Sequence, residues 1–576
     1  MNASLFKRWI AVVAALLLLN FSLTFENVWP TPAVRWDWEL SLELAVLLLA
    51  LALANARFGP TSARVLRLLA GLVALFALGR YADVTAPALY GRQINLYWDL
   101  PNIGSVAAML ARAAPTWIII AAATVLISVL ALLYAGAYWS LARVDAALRS
   151  PRTRRALGSA AAACVGLFTA QAVFDWWPEV PRFSTPVSHT YAVQVKRVFD
   201  TLSVSSAARA LPPSPRFQSD LGALANRDVL LVFMESYGRV TYDRPEVASA
   251  VAPAREQLAE AARRTGRSMV SAFVTSPTFG GGSWLAHSSL MSGIDVTDPD
   301  RYALLLTQNR PTLASFFKQH GYRVVADMPG TRGRWPEGAF YRFDALYDAA
   351  RLDYRGPEFG WWRIPDQFSL ASLDAREIRP QPRRPVFVLF PTINTHMPFR
   401  PTPPLQSDWK RVLGATPFDA VDVKRSVTQT PAWTDMGASY AASIRYSFEM
   451  FASYLAARED ENMVLILIGD HQPAANVSGT NASWDVPMHV ITRAPEVIES
   501  LERHGFVAGT TPAARPIGRM NAVGPILLDA FATPRPQRTA ADTSRAPPLV
   551  NRAPVAPRRP AHQRAPQPAQ GEPRRS

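Results

Sequence analysis

The chain has 576 residues, 49% of them hydrophobic, a formal net charge of +15 and a single cysteine. That length exceeds one ordinary domain, and the lone Cys164 excludes a disulfide framework or a thiolate metal site in any soluble part. The basic excess does not read as a nucleic-acid surface, because much of it lies in short loops between apolar segments and in a C-terminal tail, with no nucleic-acid-binding motif beside it.

Apolar residues crowd into positions 1–175. Five stretches stand out, at about 9–25, 40–56, 66–82, 114–138 and 156–174, each close to the ~20 residues that cross a bilayer as a helix. Lys7 and Arg8 before the first run resemble a signal peptide, but Phe25-Glu26-Asn27-Val28-Trp29-Pro30 offers no small-residue cleavage site. The first run therefore reads as a retained anchor. Arg57, Arg64 and Arg67 lie between the second and third stretches, and Arg143, Arg149, Arg152, Arg154 and Arg155 between the fourth and fifth. The alternate loops carry Trp29, Trp36, Trp38, Tyr81, Tyr97 and Trp98 instead. The positive-inside rule places the N-terminus in the cytoplasm and everything after Phe174 outside, with Trp176 and Trp177 at the outer interface. This predicts an inner-membrane, multi-pass domain over 1–175. A Pro-broken juxtamembrane connector follows over 176–226, in which Thr190 to Ala210 reads equally as an interfacial helix or a plain linker.

From Asp228 short apolar runs alternate with helical periodicity. Val229–Met234, Tyr322–Ala326, Val386–Phe390 and Val464–Ile468 read as buried strands, the second preceded by a helix near Thr312–His320. Strands alternating with helices predict an α/β domain over 227–531, a mostly parallel sheet between helices. Ligands in such sheets gather at the carboxyl ends of strands. Glu235-Ser236-Tyr237-Gly238, Asn394-Thr395-His396 and Gly469-Asp470-His471 each follow a predicted strand. Carboxylates and imidazoles brought together there suit a divalent ion. Asp327 and His489, also near strands, read as structural.

The segment Thr278-Phe279-Gly280-Gly281-Gly282-Ser283 opens a predicted helix running through His287 to Gly293. Glycines let backbone approach a ligand closely. A serine at a helix start is ordinarily the N-cap, yet a helix N-terminus also favours anionic oxygen. His287 reads either as an aid to a leaving group or as a polar helix residue.

The ordered set resembles the sulfatase branch of the alkaline phosphatase superfamily, above all lipoteichoic acid synthase-like membrane phosphoglycerol transferases. Those proteins combine five membrane helices with an extracytoplasmic α/β domain. The resemblance covers roughly 228–500 and the membrane layout. It implies that Glu235, Ser283, Asp470 and His471 hold one divalent metal, Mn²⁺ first, Zn²⁺ or Mg²⁺ as alternatives. It further implies that Ser283 is the nucleophile and that His396, in Asn394-Thr395-His396-Met397-Pro398-Phe399, contacts the substrate phosphate. Thr312-Leu313 through Gly321-Tyr322-Arg323 and Trp361-Trp362-Arg363-Ile364-Pro365-Asp366-Gln367 resemble further family segments. Ser283-Trp284-Leu285-Ala286-His287 keeps the spacing of the sulfatase nucleophile motif but lacks its Cys, Pro and Arg, which argues against a formylglycine sulfatase. The cysteine-free domain resembles the phosphoglycerol transferases more than the disulfide-bearing phosphoethanolamine transferases.

The implied activity is transfer of a phosphoryl-linked head group, phosphoglycerol from a membrane phospholipid donor, to a glycan or polymer acceptor through a covalent serine intermediate. A phosphodiesterase or phosphatase of the same fold is the alternative with water as acceptor. A non-catalytic membrane scaffold is the alternative from another class. The segment 532–576, rich in Pro and Arg and without periodicity, reads as a disordered tail.

Overall fold

The computed structural model describes residues 3–534, apart from 29–30, 91–92, 175–182, 203–210, 334, 361–362, 431–434, 460–461 and 480. Trp29, Trp176 and Trp177 at the expected interfaces, the pair Trp361-Trp362 and the tail beyond 534 lie outside the described residues. By its contacts the chain divides into Met1–Thr533 and Pro534–Ser576.

Helices form over all five apolar stretches: α1 (Ala3–Phe21), α2 (Leu42–Phe58), α3 (Ala63–Tyr90), then, after the short α4 (Ile103–Ala113), α5 (Thr116–Leu148) and α6 (Pro151–Phe174). Three of the five expected spans are supported by length and apolarity. Among the described residues α3, α5 and α6 are long and apolar enough to cross a membrane. α2 has 17 residues, about 26 Å at the helical rise, short of the ~30 Å hydrocarbon core. α1 contains Lys7 and Arg8, leaving Trp9–Phe21 as its apolar run. α1 and α3 pack on α5, and α2 on α6. One polar clamp closes this bundle at the α2–α3 turn. Buried Asp145 accepts from Asn55 Nδ2 and Thr61 N, both at 3.0 Å, and pairs with Arg149 at 3.3 Å.

The connector is no plain linker. Helix α7 (Pro186–Leu202) starts four residues before the expected Thr190. Its first turn is tied to the start of α2, where Glu43 Oε1 accepts from Val187 N at 3.2 Å and Ser188 N at 2.9 Å. A carboxylate at a helix N-terminus satisfies free N–H groups and complements the helix dipole. Thr190 Oγ1 to Asp83 at 2.8 Å and Tyr191 OH to Leu75 O at 3.0 Å then pin α7 along α3.

The α/β domain is one eight-stranded sheet. Its strands are β1 (Asp228–Met234), β2 (Ser268–Thr275), β3 (Arg323–Met328), β4 (Ala345–Asp348), β5 (Val386–Pro391), β6 (Met463–Gly469), β7 (Asp485–Thr492) and β8 (Val507–Ala508). Their spatial order is β8-β2-β7-β6-β1-β5-β3-β4. Strands β6, β1, β5, β3 and β4 are parallel neighbours; β7 runs against β6 and β2, so β2 points the same way as β1. All seven residues of β1 are buried. Leu230, Val232 and Met234 enter one core and Val229, Leu231 and Phe233 the other. The period of two in a strand covered on both faces accounts for that unbroken apolar run. Helices α8 (Pro245–Arg264) and α9 (Gly437–Ala457) pack together over the first core, while α10 (Ser283–Ser292) and α11 (Met520–Ala530) cover the second. The predicted helix near 312–320 forms as Leu313–Gln319, started by a capping box between Thr312 and Ser315.

Candidate active site

Four segments meet at one edge of the sheet: the residues after β1, β2, β5 and β6. β1, β5 and β6 are adjacent and parallel, and β2 ends at the same edge because the intervening β7 reverses direction. The glycine loop that carries Ser283 therefore issues from the same side as Glu235 and Asp470. This is the carboxyl-end crevice where α/β sheets bind ligands.

Ligand atoms of Glu235, Asp470 and His471, all buried, lie within 4.8 Å of one another. Ser283 Oγ donates to Glu235 Oε2 at 3.0 Å and lies 3.2 Å from His471 Nε2. His471 Nδ1 is 2.7 Å from the Gln472 carbonyl. A carbonyl only accepts, so Nδ1 carries a proton there, and Nε2 faces Glu235 at 3.5 Å and Asp470 at 3.6 Å. Asp470 Oδ1 accepts from Ser236 N at 2.8 Å and His471 N at 2.7 Å, whereas its buried Oδ2 has no hydrogen-bond partner among the described residues.

That orphaned oxygen tests whether the donor set fits a metal. A buried carboxylate oxygen without a partner is costly. Burial, followed by repulsion from Glu235, holds the Asp470 carboxyl well above the usual carboxylate range. Burial also raises Glu235, but the charges of His471 and His396 and the Ser236 hydroxyl carry it below its ordinary value. Two buried carboxylates and an imidazole nitrogen packed this closely make a site that a divalent cation relieves. Three oxygens and one nitrogen suit that ion.

The glycine loop explains why Ser283 is available. Gly280, Gly281 and Gly282 have φ of 65°, 146° and 79°, conformations that L side chains rarely adopt. The N-cap of α10 is Gly282, with no side-chain cap bond, and Ser283 is the first helical residue. The ordinary capping expectation for this serine is thus not met. Its hydroxyl points into the carboxylate cluster instead. Two other glycines let the loops cross: a Cβ on Gly469 would lie 1.8 Å from the Tyr237 carbonyl, and one on Gly238 would lie 1.9 Å from Gln472 Oε1.

Residues 227–495 match the sulfatase family model. That span is a sulfatase-like domain, and all four strand-end segments of this edge lie within it. Similar solved structures include an alkaline phosphatase superfamily protein from Vibrio parahaemolyticus, at 14% identity over 56% of this chain and 69% of that one, TM-score 0.34. The lipoteichoic acid synthase LtaP from Listeria monocytogenes is similar at 11% identity over 59% and 80%, TM-score 0.34. The Streptococcus pyogenes phosphoglycerol transferase GacH, in complex with sn-glycerol-1-phosphate, is similar at 10% identity over 56% and 94%, TM-score 0.31. No curated protein matches the chain.

Within this sulfatase-like domain His396 stands beside the triad, outside it, close enough for its charge to lower Glu235. Its Nδ1 is 2.8 Å from the Met397 carbonyl, which again places the proton on Nδ1. The loop that carries His396 is latched by Asp366. That buried carboxylate accepts from Ile393 N at 2.8 Å and Asn394 N at 3.0 Å, while Asp366 N donates to Asn394 Oδ1 at 2.7 Å. Burial pushes the Asp366 carboxyl up to about 7 against those hydrogen bonds. The sequence marked Asp366 only through the resemblance; the latch itself joins residues too far apart in the chain to be read there. His287, one helical turn after Ser283, packs against Phe233 with ring centroids 4.3 Å apart and the rings tilted. Desolvation by burial, outweighing the charge of Glu235, pushes its imidazole down to about 4, so it is neutral at ordinary pH. Asp327 is buried at the end of β3, and His489 in β7 bonds Tyr237 OH at 2.9 Å and Ser271 Oγ at 2.6 Å.

Proposed function

We propose that this chain is a membrane-anchored transferase that moves a phosphoryl-linked head group, phosphoglycerol from a phospholipid, to a hydroxyl of a glycan or polymer. The observation that carries the reading is the Ser283 hydroxyl. It is released from capping and set 3.0 Å from Glu235 and 3.2 Å from His471. A divalent metal held by Glu235, Ser283, Asp470 and His471, Mn²⁺ in first place with Zn²⁺ or Mg²⁺ as alternatives, supplies positive charge that makes an alkoxide accessible near neutral pH.

In this reading Ser283 Oγ attacks the donor phosphorus and the bond to diacylglycerol breaks, its oxygen taking up a proton. A phosphodiester on Ser283 remains. His396 faces the phosphoryl oxygens and offsets their charge. The acceptor hydroxyl then attacks the same phosphorus, loses its proton, and Ser283 regains one. The test is mass spectrometry of the full chain after incubation with phosphatidylglycerol labelled in its head group. The expected result is a glycerophosphoryl adduct on Ser283 that passes to a glycan acceptor. Release of free head group alone would assign the chain to the hydrolases, and an adduct elsewhere would remove Ser283 from the mechanism.

The anchor supports a lipid donor. Ala475–Ser478, just beyond His471, packs on α3, and Trp98 Nε1 donates to Asp300 Oδ1 at 3.0 Å, in the helix after the nucleophile helix. Holding the catalytic edge beside the membrane helices raises its effective concentration toward head groups. The proposed placement is an inner-membrane, multi-pass protein with its catalytic domain outside the cytoplasm. An alkaline phosphatase reporter fused after residue 500 is expected to be active. Activity only of a cytoplasmic reporter at that position would overturn the orientation.

A further inference from the structure

The turn Glu235–Gly238 supplies one carboxylate of the triad and the backbone N–H that orients another. Ser236 is its hinge, a non-glycine residue with φ of 56°. A left-handed serine persists only where its surroundings hold it. Ser236 touches both carboxylates: its N donates to Asp470 Oδ1 and its Oγ to Glu235 Oε1, each at 2.8 Å.

What holds Ser236 comes from α9, some 200 residues away in sequence. Tyr440 OH donates to the Ser236 carbonyl at 2.8 Å and accepts from Gly238 N at 3.3 Å. One hydroxyl thus bridges the two backbone groups on either side of Tyr237. Tyr440 is fully buried, and its ring meets Phe399 edge-on at 5.2 Å. Burial pushes its phenol well above the usual range, so it stays a donor. The far side of the turn is pinned separately, through Tyr237 OH and His489 Nε2 at 2.9 Å. The tight crossing at Gly469 leaves the turn no room to slide toward β6.

We propose that Tyr440 is a positioning residue for the metal centre: its hydroxyl clamps the left-handed Ser236 turn and so sets how tightly Glu235 and Asp470 hold the ion. The inference rests on the metal-centre reading of those residues. Groups that orient metal ligands without touching the ion change affinity by about 10- to 100-fold when removed. Tyr440→Phe keeps the ring and its packing and deletes only the bridge.

The experiment measures Mn²⁺ dissociation constants for the full chain in detergent by chelator competition, with melting curves of the metal-free proteins. Tyr454→Phe serves as reference, since Tyr454 lies on the same helix and bonds Asp374 at 3.2 Å, away from the turn. Tyr440→Phe is expected to raise the dissociation constant about 10- to 100-fold and to regain most of its turnover at high Mn²⁺. Tyr454→Phe is expected to lower the melting temperature without changing affinity. A wild-type dissociation constant in Tyr440→Phe, or equal losses in both variants, overturns the role of Tyr440 alone. No Mn²⁺ binding by the wild-type chain overturns the metal-centre reading and this inference together.

Discussion

Ser283→Ala is expected to abolish turnover, by a factor on the order of 10⁴ to 10⁶ as for other lost nucleophiles, while the protein folds and binds its metal. The separation of these effects follows from the geometry. Ser283 makes hydrogen bonds to Glu235 and His471 and caps nothing. Deleting the hydroxyl costs about 1 kcal/mol for the lost bond, partly offset because alanine favours a helix more than serine by a few tenths. Glu235, Asp470 and His471 stay in place, so three ligands remain. The check is turnover on labelled phosphatidylglycerol beside a melting curve and metal analysis of the same preparation. Activity within tenfold of wild type would remove Ser283 as nucleophile. Loss of metal along with activity would make it chiefly a ligand.

Replacing Asp470 has the opposite signature, because there metal and activity go together. Asp470→Ala removes the charge and also strands Ser236 N and His471 N, both buried, which then lack an acceptor. Unpaired buried donors cost about 1–3 kcal/mol each, so this variant also melts lower. Asp470→Asn separates the two causes: its amide oxygen can keep both N–H bonds while the charge is gone. Elemental analysis is expected to give about one ion per chain for the wild type and a metal content reduced at least tenfold in both variants, with only the alanine variant clearly less stable. Two ions per chain in the wild type, or full occupancy in Asp470→Ala, would overturn the single-metal assignment and favour the hydrolase reading.

Much of the fold was legible because the strands that matter are buried on both faces. Val229–Met234, Val386–Phe390 and Val464–Ile468 are unbroken apolar runs for that reason, and they form the centre of the sheet. β2 escaped because Ser268 and Ser271 interrupt its run. Ser271 is a partner of His489 on the neighbouring strand, 218 residues away in sequence, a pairing only the sheet register creates. The membrane half was legible in its helices and less so in its spans. Apolarity marks a helix that avoids water, but length and the position of charge decide which of them crosses a bilayer.

The sequence by itself determined the types of group at the carboxyl edge of the sheet. Glu235, Asp470 and His471 each follow a strand, Ser283 follows three glycines, and strand ends are where such sheets gather ligands. Only the tertiary structure decided that Ser283 does not cap its helix, because the N-cap is Gly282 and Ser283 stands one residue inside it. Only the structure, too, supplied the supports: Tyr440 on Ser236, Asp366 under the His396 loop, Gly469 yielding space to the Tyr237 carbonyl. Those residues act through backbone groups on distant segments. A backbone N–H or C=O is the same in every residue but proline, so its partner leaves no local mark in the sequence until the chain has folded.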